Sequence, residues 1–120
     1  MTLLPRPVEI RIRRAARRLE VDFDDGADVS LPAELLRVES PSAAVQGHSP
    51  DQKQIVPGKR EVGIAAVEPI GHYAVRIRFT DGHDTGIYSW ALLHRMGHEQ
   101  AALWDTYLAA LEQKGLSRDP

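Results

Sequence analysis

One stretch of thirteen residues occurs twice in this chain, 56 positions apart, and it constrains the fold more than any other feature. Leu19-Glu-Val-Asp-Phe-Asp-Asp-Gly-Ala-Asp-Val-Ser-Leu is matched by Val75-Arg-Ile-Arg-Phe-Thr-Asp-Gly-His-Asp-Thr-Gly-Ile. Phe23/Phe79, Asp25/Asp81, Gly26/Gly82 and Asp28/Asp84 are identical, and the alternate positions before them stay aliphatic. Asp-Gly between alternating apolar runs is a strong hairpin signal, because glycine takes positive φ at no steric cost. Each copy therefore reads as strand, tight turn, strand. Each then runs into a helix start, Pro32-Ala-Glu-Leu-Leu in the first and Ser89-Trp-Ala-Leu-Leu in the second. Proline suits a first helical turn, where its missing N–H is not needed, and Ser89 suits an N-cap. Two copies make no solenoid; they predict a pseudo-duplicated α+β domain.

Other segments extend the same pattern. Val8, Ile10 and Ile12 alternate with Glu9, Arg11 and Arg13, which predicts a strand pairing with Leu19, Val21 and Phe23 through a turn at Arg14–Arg18. Val62, Ile64, Ala66 and Glu68 predict a further strand, and Pro69-Ile-Gly-His a turn. Tyr73, Val75, Ile77 and Phe79 then form the inward face of the next strand. Between the copies, Ser40 to Gln54 is small, polar and aperiodic, which predicts a long loop of the kind that carries function. Trp90, Leu93 and Met96 share a helix face up to Gly97. Ala101, Trp104, Leu108 and Leu111 predict an amphipathic helix that stops at Gly115. The expected architecture is a small antiparallel sheet built of hairpins, with a short helix after the first Asp-Gly hairpin and a helical C-terminal segment. One domain spans residues 1–115, and 116–120 form a frayed tail.

Six arginines against one glutamate in residues 1–18 leave the remainder acidic, for a net charge of −2. Such a block can bind nucleic acid, with Arg13, Arg14, Arg17 and Arg18 as the contacts. Strand alternation favours a solvated sheet face, on which arginines meet Glu20 and Asp22 across the hairpin. No aromatic residue interleaves to stack bases. The chain has no cysteine, which excludes disulfides, thiolate nucleophiles and Cys-containing zinc sites. No apolar run approaches the ~20 residues of a membrane span. The N-terminus lacks a secretory pattern, so the expected compartment is the cytoplasm.

Catalytic signatures are absent: no Gly-x-Ser-x-Gly elbow, no dinucleotide fingerprint, and Arg60 where Gly58-Lys59 would need a phosphate-loop Ser/Thr. The Asp24-Asp25 carboxylates read as turn chemistry. Histidine alone invites a metal reading, with His83 as anchor and His48, His94 or His98 as helpers. His94 and His98 share a helix face only if Gly97 does not break the helix. No carboxylate at ligand spacing completes the set, so the expectation is at most substoichiometric zinc or iron.

Leu31-Pro-Ala-Glu-Leu-Leu-Arg-Val-Glu-Ser-Pro-Ser-Ala, Gly47-His48, Val56-Pro-Gly-Lys-Arg and the block from Tyr73 to Trp90 occur in this order. Together they resemble the gamma-butyrobetaine hydroxylase-like N-terminal domain over about residues 19–112. The resemblance implies a small α+β domain. In carnitine-synthesis oxygenases it precedes a separate catalytic domain that binds iron and 2-oxoglutarate. Such a domain needs ~200 further residues and a His-x-Asp/Glu pair with a distal His. The residue two after His83 is Thr85, so the oxygenase reaction does not transfer.

Similar stand-alone bacterial chains, and a similar domain fused to Mrp/ApbC-type iron–sulfur carrier ATPases in plants, imply an accessory module. The oxygenase form holds a structural zinc on three cysteines and one histidine. Those positions resemble Ser40, Ser42, Val45 and His83 here, so the resemblance implies that the zinc is lost. The expected function is a non-catalytic module that binds a protein, with an Mrp/ApbC-type carrier as candidate partner and no cofactor. Its expected surface is the 40–60 loop (Ser40, His48, Lys59, Arg60), the turn Asp81-Gly82-His83-Asp84, and Trp90. Histidine-based metal binding and nucleic-acid binding stand as alternatives.

Overall fold

The computed structural model describes residues 5–120. It is an α+β domain with two three-stranded antiparallel sheets. The first contains β1 (Pro7–Arg13), β2 (Arg18–Phe23) and β3 (Asp28–Pro32), and leads into α1 (Ala33–Val38) and α2 (Ala43–Gln46). The second contains β4 (Ile64–Ile70), β5 (Ala74–Phe79) and β6 (Ile87–Ser89), and leads into α3 (Trp90–His98) and α4 (Gln100–Gln113). Each sheet meanders in chain order, so every hairpin expected from the sequence forms. The two repeats fall into separate sheets rather than one.

The inward residues of both sheets and the apolar sides of α1 and α3 make one core: Leu19, Val21, Leu31, Leu35, Leu36, Ile77, Tyr88 and Leu93 are fully buried. Burying each leucine contributes roughly 1.5–3 kcal/mol. A smaller cluster of Val38, Tyr107 and Leu111 seats α4. On the other side of the first sheet, Arg11 bonds Glu20 (3.0 Å) and Asp22 (2.8 Å), and Arg13 bonds Glu20 (3.0 Å). Arg14 donates to the Ala65 carbonyl, Arg17 pairs with Glu61, and Arg18 bonds Ser30. Arg11 and Arg13 thus lie on the solvated sheet face, while Arg14 and Arg17 reach from the turn to the other half of the chain.

Several expectations change. The 40–60 segment holds α2 and a 3₁₀ turn at Pro50–Gln52, with Ser42 Oγ capping α2 at the Ala44 N–H. Ser89 caps α3 as expected, but Pro32 lies one position outside α1, extended at φ −64° and ψ 143°. Tyr73, expected inward, is 64% exposed. On α4 the buried position belongs to Tyr107 rather than Leu108. Gly97 does not interrupt α3; the chain breaks at Glu99 instead. Residues 116–120 are tied down: Gly58 N–H donates to Ser117, Arg60 N–H donates to Arg118, and Arg118 grips Glu34 through two bonds of 2.7 and 2.8 Å.

Candidate functional site

The two Asp-Gly turns match atom for atom. In each, the glycine N–H donates to the phenylalanine carbonyl three residues earlier (3.1 Å in both), and Gly26 and Gly82 have φ of 86° and 93°. In each, the aspartate Oδ1 accepts an N–H two residues on, from Ala27 at 2.9 Å and from His83 at 3.0 Å. The Oδ2 of each then pairs with the fifth residue of the helix that follows the other hairpin. Asp81 takes Arg37 of α1 at 2.7 Å, and Asp25 takes His94 of α3 at 2.8 Å. The halves therefore clasp each other through equivalent contacts, one with a permanently charged guanidinium and one with a titratable imidazole.

A polar cluster grows around the second clasp. Lys59 Nζ joins Arg37 on Asp81 Oδ2 at 2.7 Å. Burial pushes the Asp81 carboxyl up, but the Lys59 hydrogen bond, the His83 N–H and Arg37 outweigh it and hold the group at about 2. His83 Nε2 lies 2.9 Å from Ser40 Oγ, which also accepts the Ser42 N–H; Ser42 Oγ lies 2.7 Å from Thr85 Oγ1. Burial, then the Arg37 charge, push the imidazole below its ordinary value. A serine beside a histidine can be a nucleophile and its base. Here Ser40 is fully buried and its hydroxyl is engaged on both sides, so the pair fastens the loop after α1 to the second turn.

Both folded values lie below the unfolded ones, so the unfolded chain binds more protons and stability rises with pH, being lost as the solution is acidified. The His83 contribution is lost as pH drops below its ordinary ~6.5. The Asp81 contribution goes between 3.8 and about 2. In melts recorded at successive pH values, the parent is expected to lose stability from neutral pH down to ~5 more steeply than His83→Gln. Parallel curves would remove His83 as the source.

Of Ser40, Ser42, Val45 and His83, the positions that the resemblance aligns with zinc ligands, Ser40 meets both His83 and the Ser42 N–H, while Val45 is buried on α2 and its N–H bonds the Ser42 carbonyl. Three of them offer hydroxyl or isopropyl groups, and the imidazole Nε2 is engaged by Ser40. Gly86 approaches so closely that a Cβ there would lie 2.5 Å from Ser40 Oγ. This set does not fit zinc, which takes thiolate, imidazole or carboxylate donors in a tetrahedron. The helper histidines go elsewhere. His94 faces Asp25, and His98 stacks on His94 with ring centroids 4.4 Å apart. His48 is exposed, with only its N–H engaged, by Gln52. Among the described residues no three His, Asp or Glu side chains are grouped to hold a metal.

The expected partner surface divides. Ser40, Lys59 and Asp81 converge with His83, and Asp84 follows in the same turn, but Ser40 is buried and Lys59 and Asp81 are paired. Arg60 pairs with Asp119. Trp90 lies at the other end of β5, its Nε1–H donating to the His72 carbonyl at 3.0 Å. The six residues of β5 place that end ~20 Å from the Asp81 turn.

A further concavity lies elsewhere, a cleft of about 690 Å³ between the start of α1 and the α3–α4 junction. Leu35, Ala101 and Trp104 line it, with Arg18, Glu34 and Arg118 among its polar groups. Arg118 lies over the Trp104 ring at 4.9 Å. Of the binding or metal candidates marked in the sequence, Arg18 and His98 line this cleft. No local pattern links Glu34 to Arg118, which lies 84 positions away; the one signal in the sequence is a glutamate among the apolar residues of α1.

Comparison with known proteins fits this geometry. The family described as gamma-butyrobetaine hydroxylase-like, N-terminal, matches residues 10–94. Two NMR solution structures are similar along nearly the whole chain. One has 41% identity and a TM-score of 0.84, covering 98% of this chain and 93% of the other. The second has 44% identity and a TM-score of 0.84, covering 100% and 92%. A crystal structure from Acidithiobacillus ferrooxidans, of unknown function and in the DUF971 family, has 44% identity and a TM-score of 0.65, covering 77% and 92%. No curated protein matches. With hairpins, helices and ordered blocks in agreement, the chain belongs to the gamma-butyrobetaine hydroxylase-like N-terminal domain family.

Proposed function

We propose that this chain is a non-catalytic accessory module of the cytoplasm that binds a partner protein in the cleft beside Trp104. The observation that carries the reading is the cleft itself. It has an apolar lining and a fixed Glu34–Arg118 pair, so it suits an inserted apolar side chain flanked by polar groups. The polar cluster at His83 supports the non-catalytic part, because its groups satisfy one another and Ser40 is sealed from solvent. An Mrp/ApbC-type iron–sulfur carrier is the partner to try first, because a similar domain is fused to such ATPases.

Calorimetric titration with the purified carrier tests this. Ala101 is exposed on α4 and lines the cleft, so Ala101→Arg fills it without touching the core. Binding weakened about tenfold or more, in a variant that melts like the parent, is the expected result. Absence of binding, or binding indifferent to Ala101→Arg, overturns the reading. The loop after α1 is held by hydrogen bonds in place of zinc, so elemental analysis of untagged protein is expected to find zinc and iron well below one per chain. One tightly held ion per chain would refute that.

A further inference from the structure

The two sheets present edge strands, and all but one are blunted. On β3, Pro32 has no N–H and the outward Ser30 carbonyl accepts Arg18 Nη2 at 2.9 Å. On β4, Pro69 has no N–H and the Ala65 carbonyl accepts Arg14 Nη2 at 3.2 Å. β6 has only three residues. Proline, side-chain caps and short length are the devices by which proteins avoid edge-to-edge pairing.

β1 differs. The Phe23 N–H bonds Ala27 and the Ala33 N–H bonds Arg17, so the odd-numbered residues of β2 direct their backbone groups toward β3. Its even-numbered residues therefore face β1, where Asp22, Glu20 and Arg18 stand opposite Glu9, Arg11 and Arg13. By alternation, the N–H and C=O groups of Ile10 and Ile12 point away from the sheet, and no described residue bonds them. The side chains agree: Val8 is 70% exposed and Ile10 38%, although Ile10 shares a face with the buried Val21. Pro7 and the irregularity between Pro7 and Glu9 end this open stretch on one side, and the turn after Arg13 ends it on the other.

We propose that β1 pairs antiparallel with β1 of a second copy of this chain, joining two three-stranded sheets into one of six strands. With Ile10 opposite Ile12 of the second copy, both outward residues find reciprocal N–H and C=O partners, and the two-fold axis passes between the Arg11 residues. The pattern Glu9-Ile-Arg-Ile-Arg13 is self-complementary in that register, because Glu9 stands opposite Arg13 of the second copy, twice. Arg11 meets its own equivalent, but Glu9, Glu20 and Asp22 surround each guanidinium and reduce the repulsion. On the other face Ile10 and Ile12 of both copies extend the apolar layer. A second copy fits better than a foreign strand because one segment supplies both charges and both unpaired isoleucines.

Sedimentation equilibrium over a wide concentration range tests this. The parent is expected to shift from the 13.3 kDa monomer toward twice that mass. Ile10→Lys places a charge beside the edge at a position outside the core, and is expected to remain monomeric while keeping its circular dichroism spectrum. Glu9→Arg sets like charges opposite each other and is expected to weaken association about tenfold or more, while Glu9→Arg/Arg13→Glu restores it. Glu9 and Arg13 are both on the solvent face, so the charge pair decides the matter even if Ile10→Lys unfolds. A monomer at every concentration into the millimolar range, or a dimer indifferent to the charge swap, overturns the proposal; the first result leaves a strand of another protein as the only occupant to consider.

Discussion

Replacing Gly97 by alanine is expected to destabilise the domain by roughly 1–3 kcal/mol, although alanine is the better helix former. Gly97 lies inside α3, where Gly→Ala on an open surface would gain up to ~1 kcal/mol. At this position α3 crosses β3, and a Cβ would lie 2.2 Å from Val29 Cγ1 and 2.7 Å from Val29 Cβ. The obstacle is a short branched side chain, 7% exposed, on a strand that cannot swing aside. Relief requires moving the helix, which also carries His94 to Asp25 and Leu93 into the core. Overpacking therefore outweighs propensity, and a melting temperature lower by several degrees is expected. Val29→Ala removes the closer carbon and leaves the other, so the double variant should recover much of the loss but not all. If Gly97→Ala melts at or above the parent, α3 does not sit this close to β3.

This glycine marks where the sequence stops being readable. From the chain alone Gly97 reads as a helix break, since glycine in a helical pattern lowers local stability. Its actual role, close approach to a strand some seventy residues earlier, leaves no local trace. The hairpins were legible because their determinants are local: period-two alternation, and glycine in a turn that requires positive φ. The Ser89 cap and the charge ladder of Arg11 and Arg13 with Glu20 and Asp22 were legible for the same reason. Long-range partnerships were not. Arg37 carries no mark in the sequence beyond its place in a short helix, yet it is the equivalent of His94 and clasps Asp81. The five C-terminal residues look like a loose end in composition, yet Arg118 spans Glu34 and Trp104. Of the candidate site, the sequence marked Ser40, Lys59, Asp81 and His83, which do meet. It did not show that they meet to satisfy one another, because burial is a property of the packed chain.

The largest loss is expected from Gly26→Val combined with Gly82→Val. At both positions nothing lies within 4 Å of an added Cβ, so crowding contributes nothing and the backbone alone sets the penalty. At φ of 86° and 93° an L-residue is strained by roughly 1–2 kcal/mol, and branching at Cβ adds to it. The turns lie in different sheets and are clasped by different helices, so the two losses should add to within a few tenths of a kcal/mol. Together they take roughly 2–4 kcal/mol or more from a stability of ~5–15 kcal/mol. Each variant should also disturb its own clasp. Gly82→Val displaces the His83 N–H from Asp81 and with it the His83–Ser40 contact, whereas Gly26→Val disturbs Asp25 and His94. Histidine ring resonances followed by NMR alongside the melts distinguish the two, since His83 should shift only in the first and His94 only in the second. Single variants that melt within a degree of the parent would show that neither turn needs its glycine, and the paired clasps built on those turns would have to be abandoned.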